Sequence, residues 1–167
     1  MEINASLLNK LHLKMIELDL GDPKRIQHFC KVHSYSKLIA ECEEIDSHKQ
    51  FILETAALTH DIGIHYCEEK YGKCSGKLQE QEGPAIADKL LHELGFPEDV
   101  IERVKFLIGH HHTYSKVDDI DYQILLEADF LVNCYEDEVP LEAARCFNQN
   151  VFRTNTGKKI LKDMYLL

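Results

Sequence analysis

The stretch AALTHDIG, residues 56–63, lies at the end of a run of apolar residues at helical spacing. It contains a histidine and an aspartate, His60 and Asp61. His60 follows Ala56 by four residues, so the two side chains lie on the same inner side of a helix. The pattern predicts this helix from about residue 48 to residue 62. It therefore carries a titratable pair, His60 and Asp61, at its inner end.

The same spacing of apolar residues recurs along nearly the whole chain, and no run alternates as a half-buried strand would. Residues 64–78 differ, because glycines, cysteines and mixed charges interrupt the pattern, and we expect a long loop there with one short helical turn at most. The sequence predicts an all-α bundle of about seven or eight helices. The predicted helices run approximately over residues 5–18, 23–43, 48–62, 84–94, 97–109, 122–135, 141–150 and 157–166.

Length and composition are those of an ordinary globular domain. The 167 residues lie in the commonest size range for one domain and contain no repeat or low-complexity linker. Apolar residues make up 44% and charged residues 29%, which argues against disorder. We expect a single domain over residues 1–167, with its core in residues 22–136 and the C-terminal helices of residues 137–167 packed on it.

The charge balance limits the classes of partner. The formal net charge is −10, which disfavours binding to a polynucleotide or to an anionic membrane surface. No stretch reaches about 18 consecutive apolar residues and no signal-peptide pattern is present, so we expect a cytoplasmic protein with reduced cysteines. The oligomeric state stays open at this point, and only the general frequency of homodimers supports one.

Four titratable residues lie where the helical pattern calls for apolar ones. His28 lies on the inner face of the second predicted helix, and Asp129 lies inside ILLEADFLV, residues 124–132. With His60 and Asp61 they form a set of two imidazoles and two carboxylates, which suits Mn²⁺, Fe²⁺, Co²⁺, Ni²⁺ or Zn²⁺. A single inward histidine is more often a hydrogen-bonded core residue, and a single aspartate can cap a helix. The occurrence of all four together favours a metal site.

A run of three histidines, His110, His111 and His112, follows the helix predicted over residues 97–109. At a helix end, neighbouring imidazoles can point in the same direction. They could then complete a second metal site or donate hydrogen bonds to a phosphate group. The alternative is a solvated loop that binds nothing.

The order of these motifs resembles the HD-domain superfamily of metal-dependent phosphohydrolases. Arg25-x-x-His28, the AALTHDIG stretch, the histidines after LIGH and Ala128-Asp129 carry the resemblance, which spans roughly residues 22–136. The whole chain is also similar to small stand-alone bacterial HD-domain proteins of unassigned substrate. The resemblance implies four ligands for a first metal ion: His28, His60, Asp61 and Asp129.

Two positions depart from the pattern of that family. Many members with two metals carry a histidine four residues before a Gly-Ala pair, where this chain has Gln79, a poor ligand for these metals. This favours one metal, or a weak second one helped by His110, His111 or Glu82. Some nucleotidase relatives have a catalytic glutamate three residues after the motif aspartate, where this chain has Ile64, so that assignment does not transfer. The candidate acid/base residues in the neighbouring loop and helix are Glu68, Glu69, Glu80 and Glu82, and we favour Glu82.

The expected function is a metal-dependent phosphohydrolase acting on a small phosphorylated molecule, with a nucleotide as the leading substrate class. A divalent cation lowers the pKa of water, and Asp61 beside His60 is suited to orient that water. Arg25, one turn before His28, and Lys77, in the neighbouring loop, are candidate phosphate contacts, although Lys77 can equally be solvated. The alternatives are a non-catalytic metal- or nucleotide-binding regulatory module and a di-iron oxygenase of the HD type, which needs six protein ligands.

Overall fold

All regular structure in residues 2–167, the part of the chain that the computed structural model describes, is helical, which confirms the predicted all-α class. None of these helices combines the length and the apolar character that a membrane crossing needs. The nine helices of this part of the chain are α1 (Glu2–Leu18), α2 (Pro23–Cys42), α3 (Ser47–Thr59), α4 (Ile64–Tyr71), α5 (Gly76–Leu94), α6 (Glu98–Ile108), α7 (Ile120–Glu136), α8 (Leu141–Asn150) and α9 (Asn155–Tyr165).

Helix α7 is the central element of the bundle. Thirteen of its 17 residues are buried, because neighbouring helices cover it and most of its sequence is apolar. It packs against α2 and α3, and α3 packs in turn against α1, α2 and α6. The inner faces of α2, α3 and α7 therefore meet, and polar residues on those faces lie in the interior.

The turn that follows α3 lies directly against α5. A Cβ atom on Gly63 would be 3.1 Å from both the Cα and the N atom of Gly83, so the two backbones approach more closely than side chains would allow. This contact fixes the position of the turn that carries Asp61.

Two segments differ from the sequence-based prediction. Residues 64–71 form helix α4 where we expected a loop, because buried Cys67 anchors the helix and Gly72 ends it at a φ of 68°. Helix α5 begins at Gly76, eight residues before Pro84. The sequence-based prediction had placed Pro84 in the first turn of this helix. Ser75 caps α5 instead, and Pro84 lies in the helix interior, which leaves one backbone hydrogen bond unmade.

A buried carboxylate ties the C-terminal helices to α7. Glu127 is fully buried, and it accepts hydrogen bonds from the backbone N–H groups of Arg153 at 2.6 Å and Thr154 at 3.0 Å. The side-chain amide of Gln123 donates to it at 2.7 Å. Thr154 is also the N-cap of α9, which packs against α7 and α2. The single domain over residues 1–167 stays a prediction.

Candidate metal centre

Three helices and one turn bring four predicted site residues together in the interior. His28 comes from α2, His60 and Asp61 from the end of α3 and the turn after it, and Asp129 from α7. The Nε2 atoms of His28 and His60 lie 3.2 Å apart, and Oδ1 of Asp129 lies 3.2 Å and 3.6 Å from them. Oδ2 of Asp61 is 3.5 Å from both nitrogen atoms. Metal–ligand bonds of about 2.0–2.2 Å place neighbouring ligands at similar separations.

Each of these imidazoles is held in place through its other nitrogen. Nδ1 of His60 lies 2.9 Å from the carbonyl oxygen of Ala57, and Nδ1 of His28 lies 2.9 Å from Oε2 of Glu136. An Nδ1–H group that donates to such an oxygen leaves Nε2 as the lone-pair atom that a metal requires. The contacts therefore orient both rings as ligands.

Burial and neighbouring charges shift the pKa values of these four residues in opposite directions. Burial lowers the pKa of His28, but the hydrogen bond to Asp129 and the charges of Asp129 and Asp61 outweigh it and raise the pKa to about 9. The pKa of His60 is raised for similar reasons against the effect of its burial. Burial raises the pKa of the two carboxyls, but the imidazoles lower both below the usual range. A metal cation would thus take the place of protons on the imidazoles.

His111 and His112 form a second group with Asp61. Nε2 of His111 lies 3.5 Å from Oδ1 of Asp61, and its Nδ1 lies 2.8 Å from the carbonyl oxygen of Ile108. Within residues 2–167, this Nε2 atom is buried without a hydrogen-bond partner, an uncommon state for a buried polar atom. Asp61 faces both groups, with one carboxylate oxygen towards each. Both groups have the spacing needed to hold a metal ion.

Hydrogen bonds from two different helices hold the loop that contains these histidines. Oε1 of Glu80 accepts hydrogen bonds from the backbone of His112 and from the hydroxyl of Thr113, both at 3.0 Å. The hydroxyl of Tyr122 donates to the carbonyl oxygen of His110 at 2.7 Å. Burial and the neighbouring His111 lower the pKa of His112 to about 4, so its ring is neutral and can act as a ligand.

Gln79 and His110 differ in their relation to the second group. Oε1 of Gln79 contacts Nε2 of His112, so Gln79 lies beside the group. His110 points away from it, because its Nδ1 lies 2.7 Å from the carbonyl oxygen of Phe106 and its ring stacks on the Phe106 ring. The predicted contribution of His110 to a second metal therefore lacks geometric support, whereas His111 and His112 are in place.

The structure does not bring Glu82 or Lys77 to the cluster. The carboxylate of Glu82 accepts hydrogen bonds from Tyr71 at 2.5 Å and from Lys70 at 3.2 Å, because this side of α5 packs against α4. Lys77 is exposed in the first turn of α5. It lies two residues from Gln79, a spacing at which side chains leave a helix in different directions. The catalytic role predicted for Glu82 and the phosphate contact predicted for Lys77 gain no support.

A cavity of about 250 Å³ lies beside the first group, which consists of His28, His60, Asp61 and Asp129. Arg25 lines it, and the Arg25 guanidinium is held by Glu68 at 2.6 Å, by Asp22 at 3.4 Å and by the ring of His65 at 2.8 Å. The volume lies just below the ~300 Å³ at which pockets for drug-sized ligands begin. The residues that line the cavity are Asp22, Lys24, Arg25, His28, Asp61, Ile64, Asn133, Glu136 and Asp137.

Sequence reasoning did not identify the supporting role of two carboxylates beside the cluster, Glu136 and Glu80. Glu136 follows Asp129 by seven residues, which places both on one face of α7, and this spacing is a signal that could have identified it. Glu80 holds the histidine loop, but its role depends on α5 beginning before Pro84. The sequence offers no comparable signal for that contact.

No protein-family model and no curated protein matches the sequence. Among solved structures, the chain is similar to one described as a predicted HD superfamily hydrolase from an uncultured Thermotogales bacterium. The two are 28% identical with a TM-score of 0.65, and the match covers 97% of this chain and 84% of the other. The chain therefore resembles the HD superfamily in fold as well as in the order of its motifs.

Proposed function

We propose that this chain is a metal-dependent phosphohydrolase that acts on a small phosphate ester. The observation that carries the proposal is the shared orientation of three buried imidazoles. His28, His60 and His111 each engage Nδ1 with an oxygen atom and direct Nε2 towards aspartate oxygens. The solved structure that the chain resembles, described as a predicted hydrolase, supports the same reaction class.

The donor set fits a divalent transition metal. Two imidazoles and two carboxylates suit Mn²⁺, Fe²⁺, Co²⁺, Ni²⁺ or Zn²⁺, and the unpartnered Nε2 of His111 adds a further donor. A bound divalent cation would offset the charge of the phosphate and lower the pKa of water towards about 7. The residues that would hold a first ion are His28, His60, Asp61 and Asp129. Those that would hold a second are Asp61, His111 and His112.

Asp61 is the carboxylate that can meet both water and substrate. Its side chain is 26% exposed and lines the cavity, whereas the side chain of Asp129 is only 6% exposed. A carboxylate in this position can accept a hydrogen bond from the attacking water and so orient it. Asp61 is therefore the proposed catalytic residue, and Asp129 acts as a buried ligand.

Arg25 is the proposed phosphate contact. It lines the cavity one turn before His28, and contacts with Glu68, Asp22 and the ring of His65 hold its guanidinium in place. A guanidinium can bind two phosphate oxygens at once. The cavity suits a phosphate with a small remainder. The base of a nucleotide substrate would therefore extend beyond it.

A di-iron oxygenase is the second candidate function, because one observation favours it. The two groups together offer six candidate ligands, although Gln79 stands where a histidine was expected. Iron content and oxygen consumption distinguish this activity from hydrolysis. The six candidate ligands are His28, His60, Asp61, Asp129, His111 and His112.

The test measures phosphate release from a panel of esters. The panel contains p-nitrophenyl phosphate, its diester, sugar phosphates and mononucleotides, each with Mn²⁺, Co²⁺, Ni²⁺, Zn²⁺ or Fe²⁺. We expect metal-dependent release that falls at least 100-fold in Asp61→Ala. Asp163→Ala, at an exposed position of α9 that does not line the cavity, is the control and should retain activity. No release from any ester by the metal-loaded protein would overturn the proposal.

A further inference from the structure

Helix α7 presents one stripe of polar side chains to the cluster. Asp129, Asn133 and Glu136 follow one another at spacings of four and three residues, so they lie on one face. Nδ2 of Asn133 donates to Oδ1 of Asp129 at 2.9 Å. Oε2 of Glu136 lies 2.9 Å from Nδ1 of His28 on α2. The stripe thus contains one proposed ligand and two side chains that contact a proposed ligand.

The carboxylate of Glu136 is itself held firmly. Its side chain is only 10% exposed, and Nζ of Lys31 donates to Oε1 at 2.5 Å. Lys31 follows His28 by three residues, so both reach Glu136 from the same face of α2. Burial raises the pKa of Glu136, but Lys31 and His28 lower it overall, so the group is an ionised acceptor.

His28 differs from the other two inward imidazoles in the partner of its Nδ1 atom. His60 and His111 use the carbonyl oxygens of Ala57 and Ile108, three residues earlier, because both stand at helix ends where such carbonyls lack helical partners. His28 lies within α2, where the preceding carbonyls bond to the helix backbone. Its Nδ1 atom therefore requires a partner from outside its own helix.

We propose that Glu136 is the positioning residue for His28. Its carboxylate accepts the Nδ1–H of His28, fixes the ring and directs Nε2 towards Asp129 and Asp61. A charged acceptor also makes the ring a stronger base and a better ligand than a carbonyl would. The role in metal binding rests on the proposed metal site, whereas the orienting contact exists without a metal.

The experiment compares Glu136→Ala and Glu136→Gln with a matched control, Glu41→Ala. Glu41 is also a glutamate paired with a lysine, Lys37, but it lies on the exposed side of α2. Calorimetric titration with Mn²⁺ and Zn²⁺ gives the dissociation constants. In metal-free protein, NMR of ¹⁵N-labelled histidine gives the Nδ1–H resonance of His28, which a bond to a carboxylate shifts downfield and protects from exchange.

We expect Glu136→Ala to bind metal 10- to 100-fold more weakly, the usual effect of removing such a partner. The Nδ1–H resonance should disappear in the same variant. Glu136→Gln, which keeps an acceptor oxygen but not the charge, should lose less affinity and retain the resonance. It also provides the decisive comparison if Glu136→Ala does not fold. Glu41→Ala should match the wild type in both measurements.

The outcomes separate this inference from the proposed function. Wild-type affinity and an unchanged Nδ1–H resonance in folded Glu136→Ala would overturn the positioning role and leave the metal site intact. If the wild type binds none of the metals, the proposed function is wrong. Loss of the resonance in Glu136→Ala would then still establish the orienting contact, and its persistence would refute it.

Discussion

The Nε2 atoms of His28 and His60 lie 3.2 Å apart, so a proton must lie between them in the metal-free protein. Nδ1 of His60 donates to the carbonyl oxygen of Ala57, which leaves the lone pair of its ring on Nε2. His28 then supplies the proton, in agreement with its pKa of about 9. Protons and metal ions therefore compete for the same two nitrogen atoms.

The first prediction is that metal affinity depends on pH. Below about pH 9, His28 must release a proton for each ion bound, and His60, whose pKa is also raised, adds to the proton release where it is protonated. The affinity should therefore rise at least tenfold per pH unit and level off above pH 9. The pKa values of Asp61 and Asp129 are lowered, so both carboxylates stay ionised over this range and do not add to the slope. Calorimetry in two buffers of different ionisation enthalpy counts the released protons. An affinity that does not change between about pH 7 and pH 9 would contradict the prediction.

The second prediction is that metal binding stabilises the fold. A ligand at 100 times its dissociation constant adds about 2.7 kcal/mol to the free energy of unfolding, or about 5–10 °C in Tm for a chain of this size. Differential scanning calorimetry with and without a chelator measures the shift. Asp129→Asn keeps the shape of the side chain but removes its charge. This variant should show little or no metal-dependent shift, and a full shift would exclude Asp129 as a ligand.

The positions of His28, His60 and Asp129 could be predicted because each continues the apolar pattern of a helical segment, His28 and Asp129 within a helix and His60 at the end of one. The helical period determines which side chains face the core, so three residues on inner faces had to lie in the interior. Their distances from one another follow from the way in which α2, α3 and α7 cross. The sequence therefore identified the members of the first group without giving its geometry.

The second group could be predicted only in part, because its residues lie at helix ends. The directions of His110, His111 and His112 depend on the backbone angles of one turn, which the order of residues does not show. The predicted helix start at Pro84 placed Glu82 in the preceding loop. In the structure it lies nearly two turns inside α5, on the side that faces α4. Because α5 begins earlier than predicted, Glu82 contacts α4 and does not reach the cluster.

The third prediction concerns the attachment of the C-terminal helices. Glu127→Ala would remove an acceptor from the side-chain amide of Gln123 and from the backbone N–H groups of Arg153 and Thr154, at about 1–3 kcal/mol for each group that stays buried and unsatisfied. The Gln123 amide keeps its bond to the carbonyl oxygen of Val151. We expect the free energy of unfolding to fall by about 2–4 kcal/mol after partial relaxation. Urea denaturation measures this change, with Glu142→Ala at an exposed position of α8 as the control.

The metal affinity of Glu127→Ala should stay unchanged, in contrast to its free energy of unfolding. Glu127 lies two residues from Asp129, so the two side chains point to different sides of α7. Folded Glu127→Ala protein should therefore bind metal as the wild type does. An unfolding free energy equal to that of the wild type would show that the buried carboxylate does not hold the C-terminal helices in place.

The last prediction concerns Gln79, whose Oε1 atom contacts Nε2 of His112 beside the second group. An amide oxygen is a weak ligand for these metals, so the wild type should bind one ion tightly and a second one weakly. Gln79→His places an imidazole beside His112, which belongs to the second group, and we expect the variant to bind the second ion at least tenfold more tightly. Calorimetric titration and the metal content after desalting measure both sites. Gln81→His adds the same side chain at an exposed position of α5 and should leave the stoichiometry unchanged. Equal stoichiometry in the two variants would mean that position 79 does not face a metal site.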